Sequence, residues 1–322
     1  MKTIQTIKQD SDKAISIIEE ENTHTKYIQK ELKYYDKALY IQLKNMQNPY
    51  IPKIYVIQEK KNTLTILEEY VEGETLENAY FDKKEVQQIM HQLCLALKPL
   101  HQFSPPIIHR DIKPENVIYH NKKVTLIDFD IARFQDKNKS KDTQILGSVG
   151  YAAPEQFGFE QSNPQTDIYA LGKLMNYLLN HSLENQNGIS TDLKTVILKA
   201  TQLDYKNRYK NVHEMDLAIQ KKLIIFPCFN NETKKSRIIS LLWTLFFIFI
   251  SYDMKPGSTI TNHIFNSLAS FVFMYFALFL YYNQSFLKQH IRKIPLFLFN
   301  ILIYFAFMCL DVWFFMFLNS FF

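Results

Sequence analysis

The chain has 322 residues, of which 47% are apolar and 21% charged, and its formal net charge is +5. This composition excludes a disordered chain, a collagen-like fibre and a disulfide-stapled miniprotein, and the net charge is too small to indicate nucleic-acid binding. The three cysteines (Cys94, Cys228 and Cys309) are far apart and lack CxxC spacing, so the sequence predicts neither a disulfide framework nor a zinc site.

The chain divides near residue 225 into a polar part and an apolar part. Of its 26 phenylalanines, 18 follow Arg237, and both tryptophans lie in the same stretch. Residues 1–225 carry 30 Lys and Arg against 29 Asp and Glu, whereas residues 226–322 carry 7 against 3. The overall composition therefore averages over two regions that occupy different environments.

In the polar part, helix and strand signals alternate along the chain. A helix is predicted over 83–101. Two β-branched runs, at 117–119 and 124–127, predict short strands.

Four short motifs follow one another between residues 109 and 172. They read HRDIKPEN at 109–116, DFD at 128–130, GSVGYAAPE at 147–155 and TDIYALG at 166–172. A single HRD triplet would be a weak signal, but four motifs in this order and spacing form a specific one. This part of the chain resembles the eukaryotic-type protein kinase family, and the segment GYAAPEQ at 150–156 resembles the bacterial branch of that family.

The resemblance covers about residues 1–225 and is most specific from 100 to 210. It implies an α+β, bilobal protein-kinase-like fold, with a β-rich N-lobe over residues 1–70 and a helical C-lobe over residues 71–225. It further implies a first helix at about 34–45 and, over residues 64–76, a strand that runs into the hinge between the lobes. It also implies ATP and Mg²⁺ as cofactors and a protein as the substrate.

The resemblance assigns a role to each residue at the catalytic positions. Asp111 would orient the substrate hydroxyl and accept its proton, and Lys113 would contact the transferred γ-phosphate. Asn116 and Asp128 would supply oxygen ligands to Mg²⁺. Because tyrosine-specific members of the family lack a lysine at the position of Lys113, its presence favours serine or threonine as the acceptor.

The resemblance also implies a set of nucleotide-binding residues, namely Lys30, Glu69, Val71, Ile118 and Asp128. Lys30 would be the lysine that contacts the α- and β-phosphates, although Lys26 and Lys33 are close enough to leave that position open. The backbone of residues 69 and 71 would meet the adenine at the hinge between the lobes. Ile28 replaces the family's alanine over the adenine ring, and its larger side chain narrows the space for that ring.

Two departures from the family concern glycines. No glycine precedes Gly73, and residues 9–14 occupy the place of the glycine-rich phosphate loop. Glycine lets the backbone approach phosphates closely, and this segment has none. Asp10 and Asp12 in the segment carry negative charge and are expected to repel phosphates. Asp130 replaces the glycine of the family's DFG motif. Glycine permits the backbone flip by which this segment changes conformation. We interpret its replacement by Asp130 as a change in that flip, with metal binding retained.

A third departure concerns the partner of the phosphate-binding lysine. The predicted first helix lacks the family's glutamate and offers Lys37, Ala38 and Leu39 at the candidate positions. We therefore predict that Glu68, whose position points into the same cavity, pairs with Lys30.

Other matches predict supporting contacts. Glu155 is expected to pair with Arg208, as the glutamate of the corresponding motif does in the family. Asp167 is expected to accept hydrogen bonds from backbone N–H groups of the 109–116 loop. Ser148 would place a hydroxyl beside the catalytic aspartate and lysine.

Beyond a basic linker at 226–237, apolar runs occupy 238–252, 264–282 and 294–322. A helix needs roughly 20 apolar residues to cross a bilayer, and about 17 is the lower limit. The runs are apolar on all sides, which argues against a soluble core. They predict three transmembrane helices, at about 238–252, 264–282 and 294–316.

The basic residues around these runs predict an orientation. Six of them flank the first run or lie between the second and third: Lys234, Lys235, Arg237, Lys288, Arg292 and Lys293. The positive-inside rule then predicts a multi-pass protein of the cell membrane with a cytoplasmic kinase domain.

Three functional classes remain open. The first is a membrane-anchored serine/threonine protein kinase, which the four retained catalytic residues favour. The second is a pseudokinase that acts as a nucleotide-sensing or scaffolding module. The third, a transporter or channel, rests on Asp311 in the last apolar run. The expected partners are ATP, a protein substrate, the lipid bilayer and either a second copy of the chain or an activating protein, but no nucleic acid.

Overall fold

The computed structural model describes residues 1–136, 147–158 and 160–222, together with Phe279 and Asn283. The domain begins with a five-stranded antiparallel sheet in the strand order β1-β2-β3-β5-β4. Its strands are β1 (Lys2–Gln9), β2 (Lys13–Glu19), β3 (Lys26–Leu32), β4 (Ile54–Lys60) and β5 (Thr63–Glu69).

The two central strands direct a pair of charged side chains to one face of this sheet. Alternate residues of a strand share a face, and in β5 the buried ones are Leu64, Ile66 and Glu68. In β3, Lys30 lies opposite Ile66, and Ile28 lies opposite Glu68. Lys30 and Glu68 are therefore diagonal neighbours on the same buried face.

One helix, α1 (Lys37–Asn45), lies between β3 and β4 in the chain and buries Leu39, Tyr40 and Leu43. It begins three residues later than the predicted 34–45. The reason is local, because the Asp36 carboxylate accepts hydrogen bonds from the backbone N–H groups of Ala38 and Leu39 and caps the helix there.

The remaining described helices form the second half of the domain. Helix α2 has a buried apolar face and contacts both α3 and α5, and a capping box between Asp82 and Glu85 fixes its start. The helices are α2 (Lys83–Gln102), α3 (Pro164–Asn180), α4 (Thr191–Ala200) and α5 (Val212–Ile219). Together with the sheet they confirm the predicted kinase-like α+β architecture.

Short strands connect the two halves and carry the motifs. A three-stranded sheet has the order β6-β8-β9, and β7 pairs with β10. The strands are β6 (Glu74–Thr75), β7 (Ile107–Ile108), β8 (Val117–His120), β9 (Lys123–Leu126) and β10 (Arg133–Phe134). The 109–116 motif connects β7 to β8, and the 128–130 motif follows β9, so both lie at strand ends.

The predicted linker at 226–237 and the three predicted transmembrane helices lie outside the described residues, Phe279 excepted. In the part of the chain that the structure describes, no helix combines the length and the apolar character needed to cross a bilayer.

Candidate active site

The loop between β7 and β8 is held by a buried carboxylate from α3. Asp167 accepts the backbone N–H of His109 at 3.0 Å and that of Arg110 at 2.9 Å, which confirms the predicted contact. Arg110 has a φ of 73°, in the left-handed region, and its carbonyl accepts a hydrogen bond from the Gln156 side chain at 2.9 Å. Such a conformation costs about 1–3 kcal/mol and persists only where surrounding bonds hold it, as they do here.

Asp111 projects from this loop into a set of hydrogen-bond donors. Its Oδ1 accepts from the Ser148 hydroxyl at 2.7 Å, and its Oδ2 accepts from Asn116 Nδ2 at 2.9 Å. The Lys113 ammonium lies 3.2 Å from Asp111 Oδ2 and donates to Ser148 Oγ at 2.7 Å. Ser148 thus contacts both residues, as predicted. The structure therefore brings the three predicted catalytic residues together, with Lys113 and Asn116 both in contact with the Asp111 carboxylate.

Lys30 and Glu68 form a buried ion pair. Lys30 Nζ lies 3.0 Å from Glu68 Oε2, and the two residues are only 4% and 6% exposed. The predicted pairing is confirmed. Lys26 and Lys33, the alternative candidates for the phosphate-binding lysine, are both exposed.

Asp128 and Asp130 extend this pair into a larger charge cluster. Lys13 Nζ lies 3.3 Å from Asp128 Oδ1 and also forms an ion pair with Asp130. Lys30 Nζ lies 3.7 Å from Asp130 Oδ1. Three carboxylates and two ammonium groups therefore meet in one cluster, which leaves one carboxylate in excess.

The cluster shifts the proton affinities of its members. Burial alone would raise the pKa of Asp128, but the ammonium groups of Lys30 and Lys13 outweigh it and hold that pKa well below its usual range. Burial likewise disfavours the charged form of Lys30, yet Glu68 and Asp130 keep the pKa of Lys30 above its ordinary value. Asp128 is therefore anionic at neutral pH, as a metal ligand must be.

Two members of the site were missed from sequence. Lys13 lies in the segment expected to repel phosphates, and Tyr40 is the α1 residue that reaches the cluster, where its hydroxyl donates to Asp130 Oδ1 at 3.2 Å. Of the positions considered on α1, Lys37 pairs with Glu59 at the surface, and Leu39 is buried. The only sequence signal for Tyr40 is its place on the apolar face of α1.

The backbone at the DFD motif has its unusual conformation at the first aspartate. Among the residues described, Asp128 has a positive φ of 64°, whereas Asp130 is outside the left-handed region. The tolerance of aspartate for unusual φ is therefore used at Asp128 in this conformation, and Asp130 contributes through its side chain.

The predicted adenine-binding residues lie along the connection after β5. Glu69 is the last residue of β5, and Val71 follows two residues later. Gly73 has a φ of 130°, and a Cβ at this position would lie 2.9 Å from Ile118 Cγ2. This close approach places Ile118 of β8 beside the connection, while Ile28 lies opposite Glu68 in β3. That these residues bind adenine stays a prediction.

Glu155 and Arg208 form another buried ion pair. Arg208 donates to both carboxylate oxygens of Glu155, at 2.7 and 2.9 Å, which confirms the predicted pair. Glu155 also accepts from the Thr166 hydroxyl at 2.7 Å. The contact links the 147–158 segment to the residues just before α5.

We expect Glu68→Gln to destabilise the chain by about 1.5–3 kcal/mol, the usual worth of a hydrogen bond to a charged group. The replacement keeps the shape of the side chain but leaves buried Lys30 with Asp130 as its carboxylate partner, at 3.7 Å. Urea unfolding of the full-length chain measures the change. Glu59→Gln, which alters an exposed pair with Lys37, is the matched control and should have little effect. Equal effects of the two variants would contradict the prediction.

The pH dependence of stability should reveal a neutral His109. Its Nδ1 accepts the Asp111 N–H at 3.3 Å, its Nε2 lies 3.2 Å from the Ile127 carbonyl, and burial lowers its pKa. The unfolded chain therefore binds a proton below about pH 6.5 that the folded chain resists, so stability falls as the pH drops from there towards the folded pKa.

This loss should approach about 1.4 kcal/mol per pH unit for one group. Urea unfolding of the full-length chain between pH 7.5 and 5.5 measures it, and His109→Phe should flatten the profile. An identical pH profile in the variant would show that His109 does not contribute.

Comparison with known proteins agrees with this geometry. The protein kinase domain model matches residues 3–244. The serine/threonine-protein kinase PrkC of Bacillus subtilis is 32% identical over 206 residues, which cover 55% of this chain and 32% of that protein. The probable serine/threonine-protein kinase PknB of Lactococcus lactis is 29% identical over 228 residues, which cover 59% of this chain and 36% of that protein.

Human serine/threonine-protein kinase Nek2 is 35% identical over 148 residues, which cover 41% of this chain and 33% of that protein. The chain therefore spans about a third of the length of these curated relatives. Their names support the prediction of an ATP-dependent serine/threonine kinase domain. The family match covers well over half of the chain, and the chain therefore belongs to the protein kinase family.

Proposed function

We propose that this chain is a serine/threonine protein kinase that transfers the γ-phosphoryl group of ATP to a protein hydroxyl. The observation that carries the proposal is the hydrogen-bonded set in which Ser148, Lys113 and Asn116 all contact the Asp111 carboxylate. These donors orient the Asp111 carboxylate, and a proton acceptor must be held within hydrogen-bond reach of the proton that it takes.

Each residue then has a defined task. Asp111 accepts the proton of the substrate hydroxyl while the hydroxyl oxygen bonds to the γ-phosphorus and the bond from that phosphorus to the β,γ-bridging oxygen breaks, which releases ADP. Lys113 stabilises negative charge on the transferred group, next to that carboxylate. Lys30, held by Glu68, binds the α- and β-phosphates. The backbone of residues 69 and 71, with the Ile118 side chain, holds the adenine.

Asn116 and Asp128 are the residues that would hold Mg²⁺, and their chemistry fits this ion. Asn116 Nδ2 donates to Asp111, so its side-chain oxygen is the end suited to a metal. Among the described residues, no group of three or more His, Cys, Asp and Glu side chains is arranged to hold a metal. Magnesium usually binds through one or two carboxylates plus substrate phosphates, which agrees with so small a set. Bound there, Mg²⁺ would neutralise charge on the phosphates.

The activity is tested by incubating the full-length chain with γ-labelled ATP, Mg²⁺ and a general protein acceptor, followed by phosphoamino acid analysis. Label in phosphoserine or phosphothreonine is the expected result. Label confined to phosphotyrosine, or the absence of both labelling and ATP binding, would refute the proposal.

The alternative, a nucleotide-binding pseudokinase, is favoured by one feature of the site. Lys13 is paired with Asp128, the proposed metal ligand, in a segment that lacks the family's glycines. ATP binding without any phosphoryl transfer, under the same conditions, would support this alternative.

We further propose that the apolar part anchors the protein in the cell membrane as three helices, with the kinase domain in the cytoplasm. Three apolar runs and the basic residues that flank them support this proposal. The full-length chain should remain in the membrane pellet after alkaline carbonate extraction, and a variant ending at residue 225 should not. Complete extraction of the full-length chain would refute the anchor.

A further inference from the structure

The turn between β1 and β2 uses its backbone donors internally. The Asp10 carboxylate accepts the N–H groups of Asp12 and Lys13 at 2.9 and 2.8 Å, and the Asp10 N–H donates to the Lys13 carbonyl at 2.9 Å. In a glycine-rich loop such N–H groups point towards the nucleotide phosphates. Here the N–H groups of Asp10, Asp12 and Lys13 are already bonded within the turn, so they are not offered to phosphates and a side chain is the better-placed donor.

The Lys13 side chain is the cation that this turn directs into the site. The side chain is 16% exposed and contacts Asp128 and Asp130, which lie 115 or more positions further along the chain. Lys8, at the other side of the same turn, is 57% exposed and pairs with Asp10 at 3.5 Å. The two lysines on either side of this turn thus face different environments, and of the two it is Lys13 that reaches the cluster.

We propose that Lys13 is a second phosphate-binding lysine, which replaces the missing glycine backbone donors with a charged side chain. This inference rests on the proposed function. In the conformation described, the ammonium neutralises Asp128 and Asp130. A metal ion on Asp128 would take over that neutralisation and leave Lys13 available to the phosphate oxygens, which an ammonium with three donors binds well.

The replacement of the family's glycine by Asp130 fits this arrangement. Asp130 contacts Lys13, lies 3.7 Å from Lys30 Nζ, and accepts from the Tyr40 hydroxyl at 3.2 Å. These contacts hold the carboxylate in one place, so Asp130 acts as the positioning residue for Lys13. A glycine at this position would have no side chain to hold the lysine beside Asp128.

The test compares the affinities for ATP and adenosine. These ligands differ only in the triphosphate, so the loss of a phosphate-binding side chain weakens ATP binding and leaves adenosine binding unchanged. Calorimetry on the full-length chain with Mg²⁺ measures the dissociation constant of each ligand for Lys13→Met, Lys13→Arg and the control Lys8→Met. We expect Lys13→Met to weaken ATP binding by about tenfold or more, with adenosine affinity unchanged. Lys13→Arg should retain most of the ATP affinity, and Lys8→Met should match the unaltered chain.

Three outcomes would overturn the assignment: ATP affinity that is unchanged or higher in Lys13→Met, equal weakening of ATP and adenosine, or an equal loss in Lys8→Met. The first would show that Lys13 only neutralises the two aspartates. Each of them leaves the proposed kinase function standing, provided that the unaltered chain binds ATP. An unaltered chain that binds no ATP would refute the proposed function itself.

Discussion

We expect the Asp111→Asn variant to transfer phosphate about 10²–10⁴-fold more slowly than the unaltered chain, the usual contribution of a positioned proton acceptor. The amide has nearly the same shape but cannot accept the substrate proton. Its NH₂ group would also face one of the donors that now contact the carboxylate, either Ser148 or the pair Asn116 and Lys113. The initial rate of label transfer from γ-labelled ATP measures the effect.

Nucleotide binding separates loss of chemistry from loss of structure. Asp111 is not among the residues proposed to bind ATP, so the dissociation constant for ATP should remain within about threefold, a change of under 1 kcal/mol. Asp192→Asn, which alters a surface carboxylate near Lys83, is the matched control and should leave the rate unchanged. A normal transfer rate in Asp111→Asn would remove Asp111 from the mechanism.

The second large effect concerns stability. We expect Arg208→Met to lower the free energy of unfolding by about 3–5 kcal/mol, because removing one partner leaves the other charge buried and unpaired. Glu155 is 4% exposed and Arg208 3%. Arg208 also donates to three backbone carbonyls, those of Gln165, Gln202 and Leu203. Urea unfolding of the full-length chain measures the loss.

Two further variants keep this prediction testable if Arg208→Met does not fold. Arg208→Lys retains the charge but loses the two-pronged contact with Glu155, so its loss should be smaller. The double variant Glu155→Met with Arg208→Met removes both charges and should recover part of the stability. A double variant less stable than Arg208→Met alone would show that the unpaired carboxylate is not the cause.

Several contacts of the site were predictable from sequence because the residues involved match the motifs of the kinase family. The pairing of Lys30 with Glu68 was predicted from the resemblance, which places both residues at positions that face one cavity. The bonds from the 109–116 loop to Asp167 were predicted from the match of the fourth motif to the family. The structure supplies the physical reason for the first contact, because strand alternation directs Lys30 and Glu68 to one face of the sheet.

The membership of Lys13 and Tyr40 in the charge cluster was not predictable in the same way. Lys13 begins a strand next to two aspartates, and its surroundings in the sequence gave no sign that it points inward. Tyr40 was one residue beyond the positions considered on α1, and one residue turns a side chain by about 100° around a helix. Both errors concern the direction in which a side chain points, and spacing along the sequence predicts that direction poorly in short elements.

By itself, the sequence determined the family, the order of the catalytic motifs and the change to an apolar composition after residue 225, because each is a local pattern. Only the tertiary structure decided that Lys13 and Tyr40 join the two aspartates of the DFD motif in one cluster. Asp130 meets Tyr40 across 90 positions of chain, and Asp128 meets Lys13 across 115. These contacts depend on how the sheet, α1 and the strand ends pack together, and no period within one segment encodes that packing.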